Sequence, residues 1–194
     1  GQRLEADPSG YYRVAKAFSG ENWHEDYRSP LTEPGSEVAE GELILAIDGR
    51  ELRTDENPYR RLEGKGDSQV VLTVAAEPSF DDAREVTVRP ISSELRLRYI
   101  DWVKSRMAMV DELSNGRIGY IHLPDTAFGG NRMLQKLFYG QAEKEALIVD
   151  DRYNGGGFIP DRIIGYLERD NLAYWAMRDI DSLRTPAYAH DGPK

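Results

Sequence analysis

The sequence predicts an α+β protein in which a β-rich region is followed by an incomplete α/β region. Short runs of alternating apolar and polar residues, separated by Gly, Pro and Asp, fill residues 1–91. Within residues 94–113 the apolar residues recur at close to the helical period. Beyond them, the apolar runs 118–123 and 146–149 enclose an amphipathic segment, 131–141, which is the pattern of a strand, a helix and a strand. We therefore divide the chain into domains 1–91 and 92–194.

The first domain contains several short predicted strands and one strong turn signal. We expect strands at 11–18, 43–47, 69–74 and 84–90. The dipeptide Asp48-Gly49 follows the second of these strands, and both residue types accept the positive φ of a tight hairpin turn. We also expect a turn of helix started by Pro30 and a short helix from Asn57 to Leu62, with Pro58 in its first turn.

This pattern resembles a PDZ domain of the bacterial, protease-associated kind. The resemblance rests on Ser-Pro-Leu at 29–31, Pro34-Gly35 and the run Gly-Glu-Leu-Ile-Leu-Ala-Ile-Asp-Gly at 41–49. It implies a groove in which a peptide adds itself as an extra strand and main-chain N–H groups hold its carboxylate. By resemblance, the carboxylate-loop position falls on Arg3, Leu4, Glu5 and Ala6, and the helix from Asn57 forms the other wall. Because the loop is not rich in glycine, a purely architectural role stays open.

The second domain centres on three consecutive glycines after an apolar run. The run 146–149 lacks alternation, as expected for a strand that is covered on both faces, and Asn154-Gly155-Gly156-Gly157 follows it. Glycines at the carboxyl end of such a strand let main-chain N–H groups approach an anion or a peptide carbonyl. A helix predicted at 159–169 would place its positive end near them. A tight turn without any chemistry explains the same glycines.

Two segments of this domain closely resemble the core of tricorn-type serine proteases, which are relatives of the C-terminal processing proteases. They are Gly-Tyr-Ile-His-Leu-Pro-Asp at 119–125 and Leu-Ile-Val-Asp-Asp-Arg-Tyr-Asn-Gly-Gly-Gly-Phe at 147–158. The resemblance implies a protein that hydrolyses peptides or unfolded polypeptides and forms a homo-oligomer. It also implies an oxyanion hole with an N–H from Gly155 or Gly156. The nucleophile and a Ser-His pair would lie outside this chain, which alone would then be inactive.

Composition excludes several other classes of function. The net charge of −9 argues against a nucleic-acid partner, which needs a basic surface. There is no cysteine, and the three histidines lie far apart in the sequence, so we expect no metal site and no cofactor. The longest apolar runs are about six residues, far short of the roughly 20 that a bilayer requires. We favour the cytoplasm over the periplasm as the compartment.

The sequence alone leaves more than one interpretation open for several residues and for the chain as a whole. His122 ends an apolar run, where it either faces a cleft or is a buried structural histidine. Asp150, Asp151 and Arg152 form a local ion pair or help to bind substrate. For the whole chain, the alternative function is a non-enzymatic PDZ-type adaptor that binds peptide C-termini or a protein partner.

Overall fold

The computed structural model describes residues Gly1 to Lys194, which form two compact units, residues 1–102 and 103–194. The division falls inside the long helix α1, Leu95–Leu113. The domain boundary predicted between residues 91 and 92 lies just before this helix, and that boundary stays a prediction.

The first unit is built on an antiparallel sheet of six strands, which are β1 Gln2–Ala6, β2 Tyr12–Ala17, β3 Leu43–Ile47, β4 Arg50–Glu51, β5 Val70–Ala75 and β6 Arg84–Val88. Their order in the sheet is β1-β2-β3-β5-β6, with the short β4 paired to β3. The segments between the strands include three turns of 3₁₀ helix, at Glu25–Tyr27, Pro30–Thr32 and Pro58–Leu62. The four strands expected in this region are confirmed, whereas β1 and β4 were not anticipated.

Strand β3 is the centre of this unit because it is buried on both faces. Ile44 and Ile47 belong to the larger apolar core, while Leu43 and Leu45 belong to a smaller one. Strict alternation would place residues 44 and 47 on opposite faces. They share a face because the register of β3 against β5 shifts at the residues Ile44 to Ala46. The turn after β3 has Asp48 at φ 50° and Gly49 at φ 71°, as its sequence predicts.

The second unit contains the expected strand, helix and strand, and its two strands are parallel and in register. After them come a helix and a short antiparallel hairpin. The elements are β7 Ile118–His122, α2 Phe128–Phe138, a 3₁₀ turn Tyr139–Gln141, β8 Ala146–Asp150, α3 Pro160–Leu167, β9 Ala173–Trp175 and β10 Leu183–Thr185. The protein is thus mixed α and β with a mostly antiparallel strand arrangement. That the second unit is part of a catalytic core stays a prediction.

Groups from outside the strands bond to each edge of the parallel pair at one residue. The Gln141 side chain accepts from the Tyr120 N–H (2.8 Å) and donates to the Tyr120 carbonyl (3.0 Å), as a neighbouring strand would. On the other edge, the Leu147 N–H donates to the Pro193 carbonyl at 2.9 Å. The turn-rich C-terminal segment is therefore fastened to β8.

One expectation about β8 is wrong. The lack of alternation predicted cover on both faces, but Ile148 is 44% exposed. It lines an open cleft of about 680 Å³ together with Met109 and Val110 of α1. Apolar side chains are thus present on both faces, and Ile148 is left partly exposed on one of them. None of the helices combines the length and apolar composition of a membrane span.

Candidate active site

The carboxyl ends of β7 and β8 lie side by side, as the parallel register requires. His122 is paired with Asp150, and the Leu123 N–H extends the ladder by donating to the Asp150 carbonyl at 2.9 Å. The chain leaving β7 and the chain leaving β8 therefore start from neighbouring points. This end of a parallel sheet is where open α/β folds place their ligands.

The Asp150 carboxylate organises this end of the sheet. It accepts from the Tyr120 hydroxyl at 2.6 Å and from the Arg152 guanidinium at 2.5 to 3.0 Å, as well as from the Arg152 main-chain N–H at 3.0 Å. The Asp150 side chain is only 6% exposed, whereas that of Arg152 is 63% exposed. Hydrogen bonds from Arg152 hold the pKa of Asp150 well below its usual range, and burial together with Asp150 raises the pKa of Tyr120. The expected local ion pair is present.

His122 belongs to the same structural arrangement. It is 2% exposed, and its Nε2–H donates to the Arg152 carbonyl at 2.9 Å. This geometry favours the structural interpretation of His122 over a role in a cleft. Both side chains at the strand ends, His122 and Asp150, thus hold the main chain of residue 152 in place.

The glycine turn is joined to the loop after β7 largely through main-chain hydrogen bonds. Gly155 N–H donates to the Pro124 carbonyl at 2.9 Å, Thr126 N–H donates to the Gly156 carbonyl at 3.0 Å, and Ile159 N–H donates to the Thr126 carbonyl at 3.0 Å. The Asn154 side chain adds a bond to the Leu123 carbonyl at 3.1 Å. The turn is therefore an anchored structure and not a free loop.

The three glycines meet different physical demands. A Cβ on Gly157, which has φ +153°, would lie 2.4 to 2.5 Å from main-chain atoms of Thr126 and Ala127. Gly156 has open space around it but a φ of +81°, which disfavours other residues. A Cβ on Gly155 would meet nothing closer than the Pro124 carbonyl oxygen at 3.8 Å. Close packing thus requires glycine at 157, and backbone conformation favours it at 156.

The two predicted donor amides both have acceptors in this structure. Gly155 N–H is bonded to the Pro124 carbonyl, and Gly156 N–H is bonded to the Asn154 Oδ1 at 2.6 Å. The Gly157 amide takes part in none of these bonds. An incoming oxyanion would have to displace the Pro124 carbonyl in order to use Gly155, or the Asn154 side chain in order to use Gly156. The assignment of Gly155 or Gly156 as the donor stays a prediction.

The sequence reasoning missed Asp125 and the glycines of α2. Asp125 Oδ1 accepts from the N–H groups of Ala127 (2.8 Å) and Gly130 (2.7 Å), so the carboxylate caps the start of α2. A Cβ on Gly130 would lie 1.7 Å from the Asp125 carbonyl oxygen, which explains why glycine stands there. Asp125 shortly before Gly129-Gly130 was the available signal. This capping fixes the loop to which the glycine turn is bonded.

The segment from Arg3 to Ala6 does not form the predicted loop. It is part of β1, which pairs antiparallel with β2 with one shift in register between Arg3 and Leu4. Leu4 packs against the core, while Arg3 and Glu5 are exposed and form an ion pair at 3.3 Å. Alternation of this kind is what stabilises a strand with one buried face. The predicted loop conformation is therefore wrong, because these residues form a strand. Any binding role of these residues stays a prediction.

Comparisons with known proteins agree with the resemblance seen in the two motifs. Residues 1–93 match the family model of the tricorn protease PDZ domain. The chain is 34% identical over 181 residues to the putative tricorn-like protease C-terminal subunit of Sulfurisphaera tokodaii, covering 93% of this chain and 20% of that protein. It is also 34% identical over 172 residues to the tricorn protease of Thermoplasma acidophilum, covering 89% of this chain and 16% of that protein.

The fold agrees as well. The chain matches the crystal structure of the tricorn protease with a TM-score of 0.88 and 31% identity, covering 98% of this chain and 18% of that one. It therefore spans a fifth or less of the length of these relatives. Since the similarity extends over both units, the chain is a homologue of part of the tricorn proteases.

Proposed function

We propose that this chain is part of a serine-type endopeptidase that hydrolyses peptides or unfolded polypeptides without a cofactor. The observation that carries the proposal is the anchored glycine turn at the carboxyl ends of two parallel strands, in a homologue of part of the tricorn proteases. Main-chain amides held rigidly at such a place are suited to stabilising the oxyanion of acyl transfer. Their position is fixed before substrate arrives.

Within the turn, we propose that Gly156 is the better donor of the two predicted candidates. Its amide is bonded to the half-buried Asn154 side chain, which can be displaced without moving the main chain once its bonds to the Leu123 carbonyl and Asp151 Oδ1 are broken. The Gly155 amide is bonded to the main-chain carbonyl of Pro124, which cannot leave without moving the loop after β7. The nucleophile and its Ser-His pair belong, by family resemblance, to positions outside this chain, so the chain alone hydrolyses nothing.

The test is a peptidase assay on the full-length protein in which single amides of the turn are replaced by esters. An ester removes the N–H without adding a side chain, whereas proline cannot adopt the φ of +81° at Gly156. Loss of the true donor should lower kcat about 10²- to 10³-fold. The same replacement at Gly155 serves as the matched control. Equal, full activity in both variants would remove the glycine turn from the oxyanion hole.

The full-length protein also separates the enzyme from the adaptor alternative. A peptidase should cleave an unfolded polypeptide and be blocked by serine-directed inhibitors. A protein that binds peptides yet neither cleaves them nor reacts with those inhibitors would be the adaptor.

A further inference from the structure

The first unit contains an apolar cavity beside the free edge of its sheet. The cavity has a volume of about 400 Å³, and its walls include Leu4 of β1, Leu31, Leu72, and Tyr59 and Leu62 of the 3₁₀ turn. β1 ends the sheet, so only β2 pairs with it. An unpaired strand edge next to an apolar cavity of this size suits an extended peptide that places one apolar side chain inside.

A carboxylate of the chain itself lies at the mouth of this cavity. The Gln2 main-chain N–H, on the strand edge that β2 does not use, donates to Glu94 Oε1 at 3.2 Å. Arg98 donates to Glu94 Oε2 from Nε at 2.8 Å and from Nη2 at 2.6 Å. Both carboxylate oxygens are therefore bound, one by a strand amide and one by a guanidinium. These are the donors that a peptide's terminal carboxylate seeks.

Glu94 lies just before a helix, where its carboxylate would ordinarily bind elsewhere. Glu94 directly precedes α1, where an acidic side chain commonly interacts with the first amides of its own helix. Here the Leu95 N–H is instead directed at Ser93 Oγ, at 3.4 Å. The Glu94 carboxylate reaches across to β1. Its charge is also felt at Tyr59, whose pKa is raised by burial and, secondarily, by Glu94.

Arg98 does not depend on Glu94 for its place. Its guanidinium lies over the ring of Phe18, 4.3 Å from the centroid, and Phe18 is buried. A guanidinium over an aromatic ring is a favourable contact that does not involve Glu94. The guanidinium and the Gln2 amide thus stay available if the Glu94 carboxylate is removed.

We propose that Glu94 is a built-in substitute for the carboxylate of a peptide C-terminus, and that it closes the cavity of the first unit to such peptides. A peptide ending in an apolar residue would place its terminal carboxylate between the Gln2 amide and Arg98. It would pair along β1 and insert its last side chain into the cavity. With Glu94 in place, that carboxylate meets a like charge and occupied donors.

The experiment compares peptides that end in valine or leucine as the free acid with the same peptides as C-terminal amides. Fluorescence polarisation measures their affinity for the full-length protein and for its Glu94→Ala variant. We expect no preference for the acid in the parent protein and at least a tenfold preference in Glu94→Ala. Glu63→Ala is the matched control, because Glu63 lines the same cavity without bonding to the Gln2 amide, and it should behave as the parent.

A second substitution distinguishes this role from a merely structural one. Gln2→Pro removes the N–H from the outer edge of β1, where proline is tolerated. In the Glu94→Ala background it should abolish the gained preference for the acid. If Glu94 only ties α1 to β1, Glu94→Ala lowers stability and no acid preference appears.

A third variant covers the case in which Glu94→Ala does not fold. Glu94→Gln keeps the side-chain length and removes the charge, so it should give a smaller acid preference with the fold retained. An acid preference already present in the parent overturns the proposal, as does its absence in every folded Glu94 variant. None of these measurements depends on peptidase activity.

Discussion

Replacing each glycine of the turn by alanine, one at a time, tests how closely the turn packs against the loop after β7. Gly157→Ala puts a methyl group 2.4 Å from the Thr126 carbonyl carbon, and the nearest atoms belong to the main chain. To reach an ordinary contact of at least 3.4 Å, the loop after β7 has to move by about 1 Å. Gly156→Ala meets no atom within 4 Å, and Gly155→Ala meets only the Pro124 oxygen at 3.8 Å.

These geometries give three different magnitudes. Gly155→Ala should be near neutral, since its φ is not positive and restriction of the unfolded chain contributes about 0.4–1 kcal/mol in its favour. Gly156→Ala should cost about 1–2 kcal/mol because its φ is +81°. Gly157→Ala should cost about 3–4 kcal/mol, which combines a positive φ with the loss of two loop hydrogen bonds of about 1 kcal/mol each.

The assay is urea denaturation combined with amide hydrogen exchange at Thr126 and Ile159, whose N–H groups form the two bonds at risk. We expect the free energy of unfolding to fall in the order 155, 156, 157, with faster exchange at both amides in Gly157→Ala alone. Equal effects at the three positions, or slow exchange at Thr126 in a folded Gly157→Ala, would refute the close packing described above.

Three further predictions concern the two units. Asp150→Asn should destabilise the protein by about 1–3 kcal/mol in a urea titration, because it removes the carboxylate that binds the Tyr120 hydroxyl and the Arg152 guanidinium. Asp151→Asn should have little effect in the same titration. Because the pKa of Asp150 is depressed in the folded state, the carboxylate contributes to the free energy of unfolding above about pH 4, and this contribution is lost as pH falls through the folded pKa. Asp150→Asn should therefore make the free energy of unfolding depend less on pH between about pH 6 and 2. Leu52→Ala, at a fully buried site, should cost about 2–5 kcal/mol, against about 0.5 kcal/mol or less for Leu95→Ala, which is 78% exposed.

Self-association of this chain is a separate prediction. The face of β8 that carries Ile148, 44% exposed, offers apolar surface to another chain. Sedimentation of the described chain at increasing concentration should show a rising average mass. A constant monomer mass would contradict it.

The elements that sequence reasoning predicted well are those whose signal is local. β3 was recognised from a run of apolar residues closed by Asp48-Gly49, and the turn has the positive φ values that these residue types accept. The strand, helix and strand of the second unit were visible because period and polarity change sharply at their ends. In both cases the information lies within about ten residues of chain.

The elements that were missed depend on specific contacts, which the periodicity of their own residues does not reveal. β1 contains Arg3 and Glu5, and only its pairing with β2 makes it a strand. α2 begins at Phe128, three residues before the predicted start at 131, because Asp125 caps it and Gly129-Gly130 admit the close approach. Sequence periodicity does not register a contact made by a single carboxylate.

The triple glycine shows why the donor amide could not be chosen from the sequence. The three residues are chemically identical, and only the loop 124–126, about thirty residues earlier in the chain, gives them different surroundings. That loop binds the Gly155 amide and forces glycine at 157, while Asn154 leaves the Gly156 amide bonded to a side chain that can move. Anchoring the turn and stabilising an oxyanion therefore compete for the same amides. The position at which the competing acceptor is most easily replaced is the one we expect substrate to use. Asn154→Ala removes that acceptor together with the side-chain bond to the Leu123 carbonyl. If Gly156 is the donor and the main-chain bonds keep the turn in place, this variant should bind an oxyanion analogue more strongly.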